Sequence, residues 1–451
     1  MVDDETRVMI GRPMADYRTT YQSFRWQVPA QFNFGGDVVD RWAADPDRVA
    51  LIWCNEAGAE RRFTYAEMAR LSNRFANLLQ GLGIVKGDRM LVMLPRIPEW
   101  QIAMVGCLKL GAVPIPCIDM LTARDVAYRV EHADARGAVT TGANIAKFDG
   151  LSQLTARVSV GGGDGWTDFA GAMAAAPEAF AALPLGADEP AIIYYTSGST
   201  GKPKGVTHAN RALYAWRVSA WYWPALTPAD LMWCTADTGW SKAGTSILFG
   251  PWSCGSAVLF YDGRFDARKR FELLAHYRVS VFCAAATEFR RLILEDARPY
   301  DLSQLRLAIS AGETVNPEIV ERWQRLSGLP LLDGYGQTET LMTVLNYPSM
   351  ALKPGSMGRP LPGTEVAVLD EQGSPAAAGE SGVLMIKLPN PQLMLGYWND
   401  EELTRRAIVR HAGADWFVTG DVVRVDADGY IYDLGRADDV INSAGYRIGP
   451  L

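Results

Sequence analysis

The run Tyr194-Tyr195-Thr196-Ser197-Gly198-Ser199-Thr200-Gly201-Lys202-Pro203-Lys204-Gly205-Val206 decides how this chain reads. An apolar, strand-like stretch from Ala191 to Tyr195 opens abruptly into hydroxyl side chains, glycines and two lysines. Glycines let backbone amides approach a ligand closely, hydroxyls add hydrogen-bond donors, and lysines bring positive charge. A loop of this composition suits phosphate oxygens. It is not the common nucleotide-triphosphatase loop, which reads G-x-x-x-x-G-K followed by Ser or Thr. Thr196 and Pro203 occupy the first and last of those positions, so the kinase and motor-ATPase readings fail.

Composition sets the outer bounds. A chain of 451 residues, 48% hydrophobic and 21% charged, is sized for two or three packed subdomains of a soluble globular protein. No apolar run approaches the roughly 18 residues of a membrane span. The first residues carry both signs of charge without a long apolar core behind them, which argues against a secretory signal. Six scattered cysteines show neither disulfide-framework nor metal-ligand spacing, so buried thiols in a reducing cytoplasm are expected. A net charge of -7 argues against a nucleic-acid binder. It also requires positive charge to be concentrated locally at any phosphate site, and Lys202 with Lys204 supply it.

Around the loop, short apolar strands alternate with helical stretches. Strands are expected at Arg89 to Leu94, Val113 to Pro116 and Ala138 to Thr141, with a helix through Leu110. After the loop they are expected at Ala257 to Tyr261, Val281 to Ala284, Leu307 to Ser310 and Leu331 to Asp333, with helices at Arg268 to His276 and Pro317 to Leu326. This alternation predicts an α/β fold of two doubly wound, mostly parallel sheets. Residues 145–190 are rich in Gly, Ala and Pro and read as a surface connection. From about Gly363 the texture changes to short alternating strands and polar turns, as in a small antiparallel β-barrel.

Four further segments leave strand-like runs for polar loops. They are Leu332-Asp333-Gly334-Tyr335-Gly336-Gln337-Thr338-Glu339, Ser310-Ala311-Gly312-Glu313-Thr314, Trp416-Phe417-Val418-Thr419-Gly420-Asp421 and Leu434-Gly435-Arg436-Ala437-Asp438-Asp439-Val440-Ile441. A fifth, Asp237-Thr238-Gly239-Trp240-Ser241-Lys242-Ala243, places an aromatic ring among polar neighbours. His208 follows the phosphate loop and either faces the site or packs at a helix start. His132, His276 and His411 read as structural. No His/Cys cluster suggests zinc, and no Gly-x-Ser-x-Gly nucleophile elbow is present.

Together these segments resemble the adenylate-forming superfamily of acyl-CoA synthetases, luciferases and peptide-synthetase adenylation domains. Within it, the chain is most similar to the medium-chain and aromatic acyl-CoA synthetases, from about residue 20 onward. The resemblance implies a ligase that activates a small-molecule carboxylic acid with ATP, releases pyrophosphate, and transfers the acyl group from AMP to CoA. Magnesium is the implied metal, CoA the co-substrate, and fatty-acid metabolism the setting. No nucleic acid and no membrane span are expected, and a homodimer is left open. Transfer to a carrier-protein thiol or an amine, or nucleotide binding without catalysis, are the alternative readings.

Carried over residue by residue, the resemblance makes Thr338, Glu339, Lys202 and Lys204 catalytic, with Glu339 holding the metal. Thr196, Ser197, Gly198, Ser199, Thr200, Gly201 and Arg447 would bind phosphate. The nucleotide would lie on Gly312, Glu313, Thr314, Asp333, Gly334, Tyr335 and Gly336, with Tyr335 against adenine and Asp421 and Arg436 on the ribose. For Glu313 alone, a plain strand-to-helix turn is an equal reading. Trp240 would line the acyl pocket and Asp438 would be the hinge. Residues 1–437 would form the large adenylation domain, with subdomains of about 1–185, 186–360 and 361–437, and residues 438–451 the hinge and the start of a truncated lid. Family members normally continue into a C-terminal domain bearing a lysine that serves adenylation, whereas the last lysine here is Lys387. The implied consequence is slow adenylate formation and poor transfer to CoA by this chain.

Overall fold

The structure is a computed structural model describing residues 14–196, 202–370 and 372–437, with the backbone of the strand pair Ile441–Ser443 and Tyr446–Ile448. After a short helix at Tyr17–Ser23 and a π-helical turn at Gly35–Asp40, the first strands form an antiparallel hairpin of β1 (Val49–Asn55) and β2 (Glu60–Thr64). Helix α1 (Tyr65–Gly81) follows. Its start is fixed by a reciprocal capping box, in which the Thr64 hydroxyl and the Glu67 carboxylate each accept from the other residue's backbone N–H.

Next come β3 (Arg89–Met93), α2 (Pro98–Leu110), β4 (Val113–Pro116), β5 (Ala135–Thr141), β6 (Ala156–Val160) and β7 (Thr167–Asp168). The strands form a parallel sheet in the order β4-β3-β5-β6-β7. Helix α2 shows both ends of the Pro-first, Gly-last asymmetry, with Pro98 in its first turn and Gly111 left-handed at φ 75° after its end. The surface connection expected over 145–190 is not what stands there. β6 extends the sheet beside β5, Val158 and Ser159 are fully buried, and the helix Phe169–Ala175 packs its Phe169 inward.

β8 (Pro190–Thr196) and β9 (Lys204–Ala209) pair antiparallel on either side of the segment expected to bind phosphate. The ladder closes on Thr196 opposite Lys204. Ser197, Gly198, Ser199, Thr200 and Gly201, expected to bind phosphate, lie outside the described residues.

The second sheet contains β10 (Leu231–Cys234), β11 (Ala257–Asp262), β12 (Val281–Cys283), β13 (Leu307–Ala311), β14 (Leu331–Gln337), β15 (Leu341–Leu345) and β16 (Arg359–Pro360). Its order is β16-β15-β14-β13-β12-β10-β11-β1-β2, parallel from β14 to β1 and antiparallel at both edges. The early hairpin β1–β2 thus belongs to this later sheet. Helices α3 (Ala267–His276) and α4 (Pro317–Ser327) cover one face, burying Phe271, Leu274 and Trp323.

The small antiparallel barrel expected near the end takes the form of a five-stranded antiparallel sheet. It comprises β17 (Val366–Leu369), β18 (Ser381–Lys387), β20 (Ile408–His411), β21 (Ala414–Val425) and β22 (Ile431–Arg436). Between them β19 (Gly396–Tyr397) crosses to pair with β9. No helix among the described residues is long and apolar enough to cross a membrane. All six cysteines are buried and free.

Candidate active site

Parallel sheets gather loop chemistry at the carboxyl ends of their strands. The segments after β10, β13 and β14 meet the hairpin β8–β9 and the strands β21 and β22 around one cavity of about 1110 Å³. Thr196 and Lys204 line it from the phosphate hairpin, Thr338 and Glu339 from beyond β14, and Trp240 and Lys242 from the segment after β10. A second hollow of about 300 Å³ shares Gly312, Glu313, Gly336 and Arg436 with the first. Its remaining wall includes Thr314, Asp333, Gly334, Tyr335 and Asp421. Lys202 instead lines a separate cleft of about 330 Å³, which also touches Lys204 and Tyr397. Asp438 and the Arg447 side chain lie outside the described residues.

The turn carrying Thr338 and Glu339 exists because of Gly336. A Cβ there would stand 1.9 Å from the Leu341 carbonyl oxygen, a contact no side chain tolerates. The β14–β15 register shifts between Tyr335 and Gly336, lifting the loop off the ladder. The Thr338 carbonyl lies 2.7 Å from Nε2 of His208. His208 sits on β9, fully buried, so it packs under the Thr338–Glu339 turn and has no surface in the cavity. The Glu339 carboxylate accepts from the Tyr397 hydroxyl at 2.8 Å. The Lys204 ammonium stands 5.2 Å from the centre of the same tyrosine ring.

Asp421 is heavily engaged in the wall of the second hollow. It accepts from the Tyr335 hydroxyl, from Gln337 Nε2 at 2.7 Å and from Arg436 Nη1 at 3.0 Å. A carboxylate offers about four acceptor positions, so three of them are already taken within the protein. Asp333 is buried beside it and accepts from the backbone N–H groups of Gly334 at 2.9 Å and Val315 at 3.2 Å. Burial outweighs those two bonds and pushes its carboxyl up to about 7.

Three contacts pin the Gly312 segment, whose glycine takes φ +98°. Lys242 donates to the Ala311 carbonyl at 2.8 Å and Thr314 donates to Asp433 at 2.7 Å. Glu313 accepts from the Thr287 backbone N–H at 2.9 Å, which is a helix-start role at the cavity rim. Trp240, with 53% of its surface exposed, lies open on the cavity wall.

Four cations (Lys204, Lys242, Arg406, Arg436) and four carboxylates (Asp237, Glu288, Glu313, Glu339) line the main cavity, so its described wall carries no excess charge. No cluster of three metal-ligating side chains occurs among the described residues. A carboxylate such as Glu339 on the cavity wall nevertheless suits magnesium, which takes one or two carboxylates and completes its shell with phosphate and water oxygens. Sequence reading missed the contacts of Gln337 and Tyr397, and of the two readings for His208 the packed one stands, on β9 against the Thr338 carbonyl. Each is tied to the site by a contact from a distant part of the chain.

Known proteins resemble this chain over most of its length. Acyl-coenzyme A synthetase ACSM3, mitochondrial, of Mus musculus is 36% identical over 467 residues, covering 98% of this chain and 79% of that protein. The crystal structure of Brucella canis acyl-CoA synthetase superposes with a TM-score of 0.86 at 30% identity, covering 96% of this chain and 82% of that one. The anthranilate CoA ligase AuaEII, solved in complex with anthranoyl-AMP, gives 0.86 at 26% identity over 94% and 81% of the two chains. Residues 39–398 match the family described as AMP-binding enzyme. With that match spanning both sheets, the phosphate hairpin and the Thr338–Glu339 turn, the chain belongs to the AMP-binding enzyme family.

Proposed function

We propose that the protein is an AMP-forming acid–thiol ligase, an acyl-CoA synthetase. The observation that carries this reading is the meeting of Thr196, Lys204, Thr338 and Glu339 in one cavity that opens onto the Asp421–Arg436 pair. A triphosphate reaching from the first group to the second would span both hollows. The ligand named for the AuaEII structure, an acyl-adenylate, supports the same chemistry.

In the first step a carboxylate oxygen of the acid attacks the α-phosphorus of ATP. The bond from that phosphorus to the bridging oxygen breaks, and pyrophosphate leaves with the oxygen. Lys204 and Thr338, with the amides of the phosphate loop, would stabilise charge on the phosphate oxygens. The neutral balance of the described wall means that side-chain cations alone do not offset a polyanion. Glu339, together with the phosphates, would hold magnesium, which when bound would neutralise part of that charge. In the second step the CoA thiolate attacks the acyl carbon, a C–S bond forms, the C–O bond to AMP breaks, and the thiol proton goes to solvent.

Trp240, on the open wall beside Lys242, is our candidate for the acyl pocket, and a medium-chain or aromatic acid is our reading of its substrate. The six buried thiols suit a reducing compartment such as the cytoplasm. The test is acid-dependent exchange of labelled pyrophosphate into ATP, followed by CoA-dependent AMP release, over a panel of fatty and benzoate-type acids. Absence of exchange with every acid would leave a nucleotide-binding protein and overturn the proposal. Asp421→Ala is expected to weaken ATP binding by roughly tenfold or more, the cost of one charged hydrogen-bonding group.

A further inference from the structure

We propose that Tyr397 is a positioning residue of the adenylation site: its hydroxyl sets the orientation of Glu339 and its ring face supports Lys204. The inference rests on the reading of Glu339 as the magnesium-holding carboxylate.

Tyr397 is itself held from two sides. In β19 it pairs antiparallel with Val206 of β9, immediately beyond the phosphate hairpin. On the other side its backbone N–H donates to the Thr404 hydroxyl at 2.9 Å. Gly396 makes this seat close-fitting, since a Cβ there would stand 2.8 Å from Thr404 side-chain atoms. The ring therefore leaves a fixed backbone and separates the main cavity from the cleft that holds Lys202.

From that seat it touches two groups that approach the nucleotide from different directions. The hydroxyl reaches Oε1 of Glu339 at 2.8 Å. Among the described residues Oε2 takes no hydrogen bond, so one oxygen is steered while the other stays available to a cation. The ring face meets the Lys204 ammonium at 5.2 Å, within the range of a cation–π contact. Groups behind a metal-ligating carboxylate orient it, and losing one typically costs ten- to a hundredfold in metal affinity.

The two contacts are separable by substitution. Tyr397→Phe removes the hydroxyl and keeps the ring, whereas Tyr397→Leu removes both. The experiment measures the ATP-induced rise in melting temperature of the 451-residue chain as magnesium is titrated, for wild type, Tyr397→Phe, Glu339→Gln and the double variant. Tyr397→Phe is expected to need roughly tenfold more magnesium for the half-maximal rise, with metal-free ATP binding in EDTA unchanged. The double variant is expected to match Glu339→Gln, because the hydroxyl acts through that carboxylate. Tyr397→Leu is expected to weaken metal-free ATP binding as well, through Lys204. Calorimetric titration at a temperature where every variant is folded repeats the comparison without relying on melting. A Tyr397→Phe curve that overlays wild type, or a double variant clearly worse than Glu339→Gln, overturns the inference alone. A wild-type response without magnesium dependence overturns the metal reading of Glu339 and this inference with it.

Discussion

Nε2 of His208 lies 2.7 Å from the carbonyl oxygen of Thr338, joining the strand that leaves the phosphate hairpin to the turn that carries Glu339. Complete burial pushes the imidazole down to about 3, so the ring is neutral. A carbonyl only accepts, so Nε2 carries the proton. His208→Leu would leave the Thr338 oxygen buried without this donor, at a cost of about 1–3 kcal/mol in denaturant unfolding. His208→Gln, which keeps a donor, is expected to recover part of that loss.

The same ring makes an acid-sensitive contribution. Its pKa falls from 6.5 in the unfolded chain to about 3 in the native state, so between those values the unfolded chain binds the extra proton. Stability from His208 is complete above 6.5 and declines as pH drops toward 3. Melting curves of His208→Leu across this window are expected to show a shallower acid limb than wild type, and parallel limbs would refute the assignment.

Asp333 works in the opposite sense. Its carboxyl rises from 3.8 to about 7 on folding, so the native state holds the proton in between. Its contribution is complete below 3.8 and is lost as pH climbs through about 7. The stability difference between wild type and Asp333→Asn is expected to narrow steadily over that range, as read by thermal melts.

Trp240 separates pocket from core. Because half its surface is exposed, Trp240→Ala is expected to change stability by no more than about 0.5 kcal/mol. If its ring contacts the acid, KM for the acid rises by about tenfold, a loss of roughly 1.4 kcal/mol, while KM for ATP stays constant. Equal effects on both would remove Trp240 from the acyl pocket.

Gly336→Ala tests the Thr338–Glu339 turn. The added Cβ would meet the Leu341 carbonyl oxygen at 1.9 Å and its carbon at 2.4 Å, both backbone atoms. The β14–β15 hairpin must open to admit it. A loss of about 1–3 kcal/mol is expected, together with loss of the ATP-induced rise in melting temperature.

Where the sequence was readable, local pattern and tertiary demand agreed. Val113–Pro116 is a strand at the bounds its apolar run suggests, and the helix at Pro317 ends within a residue of its expected limit. Ala156–Val160 was missed because Arg157 and Ser159 break its apolar character and the glycines after it read as loop, yet Ser159 is buried in the sheet. β9 was missed for a similar reason: Gly205, Thr207 and His208 do not look like a buried strand, and its ladder to β8 supplies the order. In the site, residues grouped in motifs were legible because spacing within a loop is local. The Tyr397–Glu339 bond spans 58 residues and the His208–Thr338 contact 130, and neither distance leaves a periodic trace.

The pairing of β1 with β11 has a consequence for how this protein is made. Leu51 waits for Val258 as its neighbour, and at roughly 5–20 residues per second a ribosome needs on the order of 10–40 s to deliver those intervening residues. The elements of the first sheet are all available within that interval, so it can assemble while the β1–β2 ribbon still lacks its permanent bed. The apolar edge of β1 bearing Leu51, Ile52 and Trp53 lacks its permanent neighbour for that time and is open to stray pairing.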